Sequence, residues 1–243
     1  MEFLKTEMKN KGWVIKLSRP EKRNAFHSAM IKELDSAFKS IPNDAHYVLV
    51  EGEGKSFCAG ADLDYMKGMI EFSLEQNIDD SNQLFEMFKS AYDCPVPLIS
   101  NAHGHAMGGG LGLLAVSDYV FAESETKFCF SEVKLGLVPA VISSFVLMKS
   151  SHPKVKELLM SGAVFGVEEA KLAQLLSEGT LEQTAQDLER AELNAIRETK
   201  RLIRNFYEVN WLRLKDETCL SIAKKRVSSE AQSRLKQFLQ RSV

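Results

Sequence analysis

Apolar positions along this chain fall into two regimes. Up to about residue 180, apolar runs of strand length alternate with stretches whose apolar residues recur at spacings of three and four, the period of a helix. Residues 2 to 18 predict two short strands around the turn Lys9-Asn10-Lys11-Gly12, the second being W-V-I-K-L. Met30, Ile31, Leu34, Ala37, Phe38 and Ile41 mark one face of a helix near 28–41, and 47–50 is a short apolar strand. Residues 63 to 92 predict helix, interrupted around 73–80 where polar residues dominate, and Pro95 and Pro97 stop it. V-P-L-I-S opens the next strand, and Y-V-F-A and K-F-C-F give two more. P-A-V-I-S-S-F-V-L-M, K-V-K-E-L-L-M-S-G and V-E-E-A-K-L-A-Q read as helices, the second ended by Gly162. From about Leu181 there is no strand signal, only charged helical stretches with an irregular apolar stripe of Leu188, Leu193, Ile196, Leu202, Ile203 and Phe206. The last, S-S-E-A-Q-S-R-L-K-Q-F-L-Q, reads as a capped helix with Ser229 one place before Glu230. Strands alternating with helices, then helices alone, predict an α/β fold with a helical C-terminal region, divided at about 1–180 and 181–243.

Composition narrows the class. A hydrophobic content of 44% and a charged content of 26% suit a soluble globular protein, and 243 residues suit one large domain with or without an appendage. A net charge of -2 gives no electrostatic case for nucleic acid or an anionic membrane. Cys58, Cys94, Cys129 and Cys219 are widely spaced with no C-x-x-C, which favours free thiols in a reducing compartment. The N-terminus M-E-F-L-K-T-E-M-K-N lacks an apolar signal core, and no apolar run approaches the roughly 20 residues a membrane span needs. Cytoplasm is the expected location.

The candidate chemistry centres on residues 101–132. A segment reading as a buried strand breaks into Gly108, Gly109 and Gly110, and an apolar helical run follows. Adjacent glycines cost chain entropy and pack nothing, so their placement predicts backbone held close to something. A glycine turn opening a helix also presents unpaired N–H groups and the positive end of the helix dipole. Alone, G-G-G is a tight turn; a second glycine-punctuated loop, F-C-A-G-A-D at 57–62, precedes another helix and lets two N–H donors converge. No phosphate-binding motif competes, since G-x-x-x-x-G-K-[ST] is absent and G-G-G-L-G lacks the dinucleotide spacing. Glu132 stands between F-C-F-S and V-K-L-G-L-V-P, at an apolar strand end where burial would raise its pKa toward that of a useful base. His103 and His105, two apart on one face of a strand, have no Cys, Asp or Glu nearby to complete a metal site and read as structural. Asp62 reads as a helix cap, and Ser143 and Ser144 lack the G-x-S-x-G setting of a nucleophile.

R-P-E-K-R-N-A-F at 19–26, S-F-C-A-G-A-D-L at 56–63, G-H-A-M-G-G-G-L-G-L at 104–113 and F-S-E-V-K-L-G-L-V-P-A at 130–140 together resemble the crotonase family, the enoyl-CoA hydratases and isomerases. Each motif is moderately specific; four in order over nearly the whole chain are highly so. The resemblance implies a spiral of ββα turns with a C-terminal helical trimerisation region, a homotrimer or hexamer, and an acyl-CoA thioester as substrate, with coenzyme A part of the substrate and no separate cofactor. By that match Ala61 and Gly109 donate the two N–H groups to the thioester oxygen. Arg23, Ala25, Ala59, Gly60, Asp62, Leu63, Gly108 and Gly112 border the substrate, and Lys22 with Arg23 suits the phosphates, although charges on such a loop are commonly just solvated.

One position departs from the pattern. The best-known hydratases of the family use two glutamates, and here Gly112 stands where the first would be while Glu132 matches the second. Two readings follow from the resemblance. One is a hydratase similar to methylglutaconyl-CoA hydratases, which share F-S-E-V-x-L-G-L-V-P-A-V-I-S. The other is a Δ3,Δ2-enoyl-CoA isomerase, in which a single glutamate moves the proton. The extended match through Ser143 favours the hydratase. Ala140 stands where dienoyl isomerases place an aspartate, which disfavours that activity. A non-catalytic acyl-CoA-binding member is the third possibility.

Overall fold

The computed structural model describes residues 1–205 and 211–241. It opens with a hairpin of β1 (Leu4–Lys9) and β2 (Gly12–Leu17), paired antiparallel, with Asn10 at a left-handed φ of 53° in the turn. Next come α1 (Ser28–Lys39), β3 (Tyr47–Gly52), α2 (Leu63–Met69), α3 (Leu74–Tyr92), β4 (Leu98–Ala102) and β5 (His105–Met107). Then follow α4 (Gly109–Val116), β6 (Tyr119–Ala122), β7 (Lys127–Cys129), a 3-10 turn (Ser131–Leu135), α5 (Ala140–Lys149) and α6 (Pro153–Ser161). β8 (Val164–Phe165) and α7 (Val167–Leu172) lead into α8 (Leu181–Arg190), α9 (Leu193–Asn205), α10 (Trp211–Arg226) and α11 (Ser229–Arg241).

The strands form two sheets. One runs β1-β2-β3-β4-β6 and is parallel apart from the opening hairpin; the other runs β5-β7-β8. After each of β2, β3, β4 and β6 the chain crosses to a second extended layer before entering a helix. In that layer Phe26 bridges Ala61, Cys58 bridges Ala106, and β5 pairs parallel with β7. Each turn of the chain is therefore strand, short extended segment, helix. The second segments are aligned side by side at the helix N-termini, where backbone donors are free.

Apolar strands such as Y-V-L-V in β3 are buried on both faces, as parallel sheets covered on two sides require. The main core lies between the first sheet and α1, α3, α4 and α5, where Phe145 meets Phe85 and Phe88 at centroid separations of 5.5 and 5.7 Å. Leu181, Ala185 and Leu188 of α8 cover the other face over Val14, Tyr47, Leu49, Ile99 and Phe121. In α9 the buried Lys200 Nζ donates to Val96 O at 2.7 Å and pairs with Asp118 at 2.6 Å. Of the predicted C-terminal stripe, Leu188 and Leu193 pack, Ile196 is half-buried, Leu202 and Ile203 are exposed, and Phe206 lies outside the described residues. α10 returns to α3 and α5 with Cys219, Ile222 and Ala223 buried, and α11 folds over α2 and the 3-10 turn.

Several sequence expectations are corrected here. The break in the 63–92 helix falls at 70–73, where Ser73 forms a capping box with Gln76, and α3 runs unbroken from there. Of the polar residues at 73–80 that suggested a break, Asn77 and Asp80 are buried within α3. His103 and His105 do not share a strand, because Gly104 at φ 58° turns the chain from β4 in one sheet to β5 in the other. Their rings bond Gly54 O and Ser56 Oγ respectively. α11 is capped by Ser228, whose hydroxyl accepts from Ala231 N, and the two-residue β8 gave no periodic signal.

Gly112 sits inside this packing. A Cβ there would lie 2.4 Å from Phe88 Cζ and 2.9 Å from Ile142 Cγ2, so α4 touches α3 and α5 where only hydrogen fits. Gly112→Ala is expected to lower stability in a urea titration by about 1–3 kcal/mol through overpacking. An unchanged midpoint would show that Phe88 swings aside freely.

Candidate active site

Two loops meet where the second layer feeds α2 and α4. Cys58 N donates to His105 O at 3.0 Å and Met107 N to Cys58 O at 2.9 Å, locking 58–61 beside 105–109. Gly60 takes φ 91° and Gly108 φ 46°, backbone that side chains rarely adopt. A Cβ on Gly109 would lie 2.9 Å from the Phe26 ring, and one on Gly110 2.8 Å from Cys58 O. The run of glycines therefore permits a close approach of two backbones. Phe26 N donates to Gly60 O, Asp62 N to Phe26 O, and Gly108 N to Cys129 O, yet among the described residues neither Ala61 N–H nor Gly109 N–H finds an acceptor. Gly109 begins α4, so its N–H also carries the positive end of the helix dipole.

Both loops open on a cavity of about 180 Å³ that Glu132 also lines. β7 ends at Cys129, and the 3-10 turn that follows swings Glu132 back toward Gly108, where a Cβ would lie 3.4 Å from its Oε1. Glu132 Oε2 is buried without a hydrogen-bond partner. Burial pushes the carboxyl up from an ordinary 4.5 to about 7, against a smaller lowering by its own backbone N–H. The turn is held by Leu137 N donating to Glu132 O and by α11, since a Cβ on Gly136 would lie 3.1 Å from Ala231 Cα.

Ala59, Gly60, Ala61, Leu63, Gly108, Gly109 and Glu132 all border this cavity. Gly112 does not; it lies behind the wall, under Phe88 and Ile142. Arg23 and Ala25 belong to the neighbouring 19–26 loop, whose Arg23 O accepts from Ala59 N at 3.0 Å. Asp62 is buried and caps α2 through bonds from Asp64 N and Tyr65 N, while Arg19 pairs with it at 2.6 Å. Burial pushes Asp62 up, but Tyr65 N–H, Arg19 and Asp64 N–H together hold it below its ordinary value. The buried Asn24, whose Nδ2 donates to Glu53 O and Ser56 O, ties the loop in place and has no sequence signal of its own.

Sequence reasoning missed the other polar group in the cavity wall. Tyr65 on α2, Asp80 on α3 and Arg226 on α10 lie about 15 and 146 residues apart in sequence and meet there, with Arg226 Nη1 2.6 Å from Asp80 Oδ2 and the Tyr65 hydroxyl donating to Asp80 Oδ1. Burial, then the bond to Asp80 and its charge, push the Tyr65 hydroxyl well above its usual range, so it stays protonated. Among the described residues no group of three or more His, Cys, Asp or Glu side chains gathers to hold a metal. No described helix is long and apolar enough to cross a membrane.

The family model for enoyl-CoA hydratase/isomerase matches residues 7–233. The crystal structure of an enoyl-CoA hydratase from Shewanella pealeana superposes with a TM-score of 0.78 at 30% identity, covering 98% of this chain and 94% of that one. One from Bacillus halodurans shares the fold at a TM-score of 0.87 and 20% identity, covering 97% and 99%. Enoyl-CoA hydratase ACTT6 of Alternaria alternata is 33% identical over 176 residues, 72% of this chain and 52% of its own length. This chain spans between 43% and 66% of the length of four curated relatives it matches. The chain belongs to the enoyl-CoA hydratase/isomerase family, the crotonases that its four sequence motifs resemble, and carries that family's α/β fold.

Proposed function

We propose that this chain adds water to, or removes it from, the 2,3 double bond of a short or branched enoyl-CoA. The observation that carries this reading is a buried Glu132 carboxyl whose Oε2 has no partner, bordering the same cavity as the unpaired N–H groups of Ala61 and Gly109. In this reading the thioester oxygen accepts from both amides, and their fixed dipoles stabilise the negative charge that develops as the enolate forms. One such donor contributes about 3–4 kcal/mol to lowering the barrier. Glu132, with a pKa of about 7, takes a proton from the attacking water and delivers one to the α-carbon. Arg23 and Ala25 with Ala59, Gly60, Asp62 and Leu63 form the border of the proposed CoA path, and the assembly is a homotrimer or hexamer.

The packing at Gly112 favours a second reading. With Phe88 and Ile142 filling that space, α4 contributes no acid, and Glu132 alone could shuttle a proton between the α- and γ-carbons as an isomerase. A 3-enoyl-CoA yielding 2-enoyl product with no hydroxyacyl product would select the isomerase.

Glu132→Gln is expected to lower kcat for hydration of an accepted 2-enoyl-CoA by on the order of 10² to 10⁴. Unchanged turnover would remove Glu132 from the chemistry. Since the carboxylate must be ionised to accept a proton from water, kcat/KM should fall about tenfold per pH unit below about 7. A flat profile from pH 5 to 8 contradicts this assignment. Stability moves the other way. The folded pKa lies above the unfolded one, so the neutral acid's contribution is complete below about 4.5 and is lost as pH rises to about 7. At pH 8, Glu132→Gln should therefore gain up to about 3 kcal/mol in urea unfolding relative to the parent, and the gain should vanish by pH 4. Equal stability of the two proteins at pH 8 would show that the carboxylate is not buried at a cost.

A further inference from the structure

Outside the reacting centre, the cavity is walled mainly by apolar side chains such as Met66, Leu84 and Ile222. The exception is the Tyr65–Asp80–Arg226 cluster, in which Asp80 is 7% and Arg226 9% exposed. Taking an ion pair out of water is costly, and apolar residues of similar volume commonly serve stability as well or better. A tie between α10 and α3 also needs only the contacts of Nη1, which reaches both Asp80 Oδ2 at 2.6 Å and Ser81 Oγ at 3.4 Å. The opposite edge of the guanidinium, Nε with Nη2, is the one that presents two parallel donors to an oxygen. Among the described residues that edge is unused, and Nε is buried with no partner. Tyr65 has spent its proton on Asp80, so its oxygen can only accept, from Ser28 beside it and from a ligand hydroxyl. The cluster thus offers donors from one member and an acceptor from another.

We infer that the Tyr65–Asp80–Arg226 cluster is a binding site for an oxygen on the acyl group, so that the chain selects acyl-CoA esters bearing a hydroxyl or carboxylate over plain hydrocarbon chains. Arg226 supplies the hydrogen bonds, Asp80 anchors Arg226 through Nη1, and Tyr65 accepts from a ligand hydroxyl. The inference rests on the acyl-CoA reading above and deepens it. A hydroxyl on carbon 3 and a carboxylate at the chain end are the two sources of such an oxygen.

The test is equilibrium binding of butyryl-, 3-hydroxybutyryl- and glutaryl-CoA, measured in a Glu132→Gln background so that no ester turns over. At least one oxygen-bearing ester should bind on the order of tenfold to a hundredfold more tightly than butyryl-CoA, the range of a hydrogen bond to a charged group. Arg226→Met should erase that advantage while leaving butyryl-CoA within a few-fold. Arg226→Lys, which keeps the charge beside Asp80 but loses the Nε edge, should erase it too and covers the case in which the methionine variant fails to fold. An advantage for the hydroxy ester places the oxygen on carbon 3, and one for glutaryl-CoA places it at the chain end. Three esters bound alike, or an advantage that survives both Arg226 variants, overturns the inference and leaves the acyl-CoA reading standing. Failure of butyryl-CoA and both other esters to bind overturns the acyl-CoA reading and takes the inference with it.

Discussion

The close approach of two backbones, at 58–61 and 105–110, is the constraint on which the site depends. Where chains meet this closely a Cβ has no room, and Gly109 and Gly110 would drive one into the Phe26 ring and Cys58 O. The ladder that holds them together, Cys58 to His105 and Met107 to Cys58, ends before Ala61 and Gly109 and leaves their N–H groups facing a cavity. Leaving such donors unpaired costs stability. Two of them at the mouth of one cavity form a fixed electrostatic feature that needs no reorganisation when an oxygen arrives.

Glu132 repeats this logic with a charge. Its carboxyl is carried on a 3-10 turn after β7 and pressed toward Gly108, where burial leaves Oε2 without a partner. An acid held against this cost has its pKa moved to about 7, where it both gives and takes protons near neutrality. Elsewhere in the chain buried charge is treated differently: Lys200 pairs with Asp118, and Asp62 with Arg19, each with further bonds. Unlike these, Glu132 has no countercharge beside it, and its pKa is moved by burial.

Much of the fold was legible because its signals are local. Alternating periodicity placed β2, α1, β3, α4 and β6 within a few residues, and the glycine-rich runs marked both loops that meet at the site. Signals failed where a residue's surroundings come from far along the chain. The polarity of Asn77 and Asp80 looked like a helix break, yet Asp80 pairs with an arginine 146 positions later and Asn77 Nδ2 donates to the carbonyls of Phe72 and Ser73 at the head of the helix. His103 and His105 looked like one strand face, but β4 ends at Ala102 and Gly104 turns the chain, so only His105 lies in a strand. Gly112 was visible as an absence, but the reason for it, two side chains from α3 and α5 filling its place, was not.

The C-terminal helices tie these threads together. Read along the sequence, the region after Leu181 is a set of charged helices appended to an α/β core. In space α10 lies on α3 and α5 and lends Ile222 and Arg226 to the cavity, while α11 adds Phe238 and packs Ala231 against Gly136. Gly136 caps the turn that carries Glu132. The element that covers the apolar end of the cavity therefore also bears on the backbone that aims the acid. Burial is what raises the pKa of the carboxyl, and the turn that buries it is packed under α11. A change that loosened these helices would both open the cavity and return Glu132 toward an ordinary acid, so the site's chemistry depends on residues that touch no reacting atom.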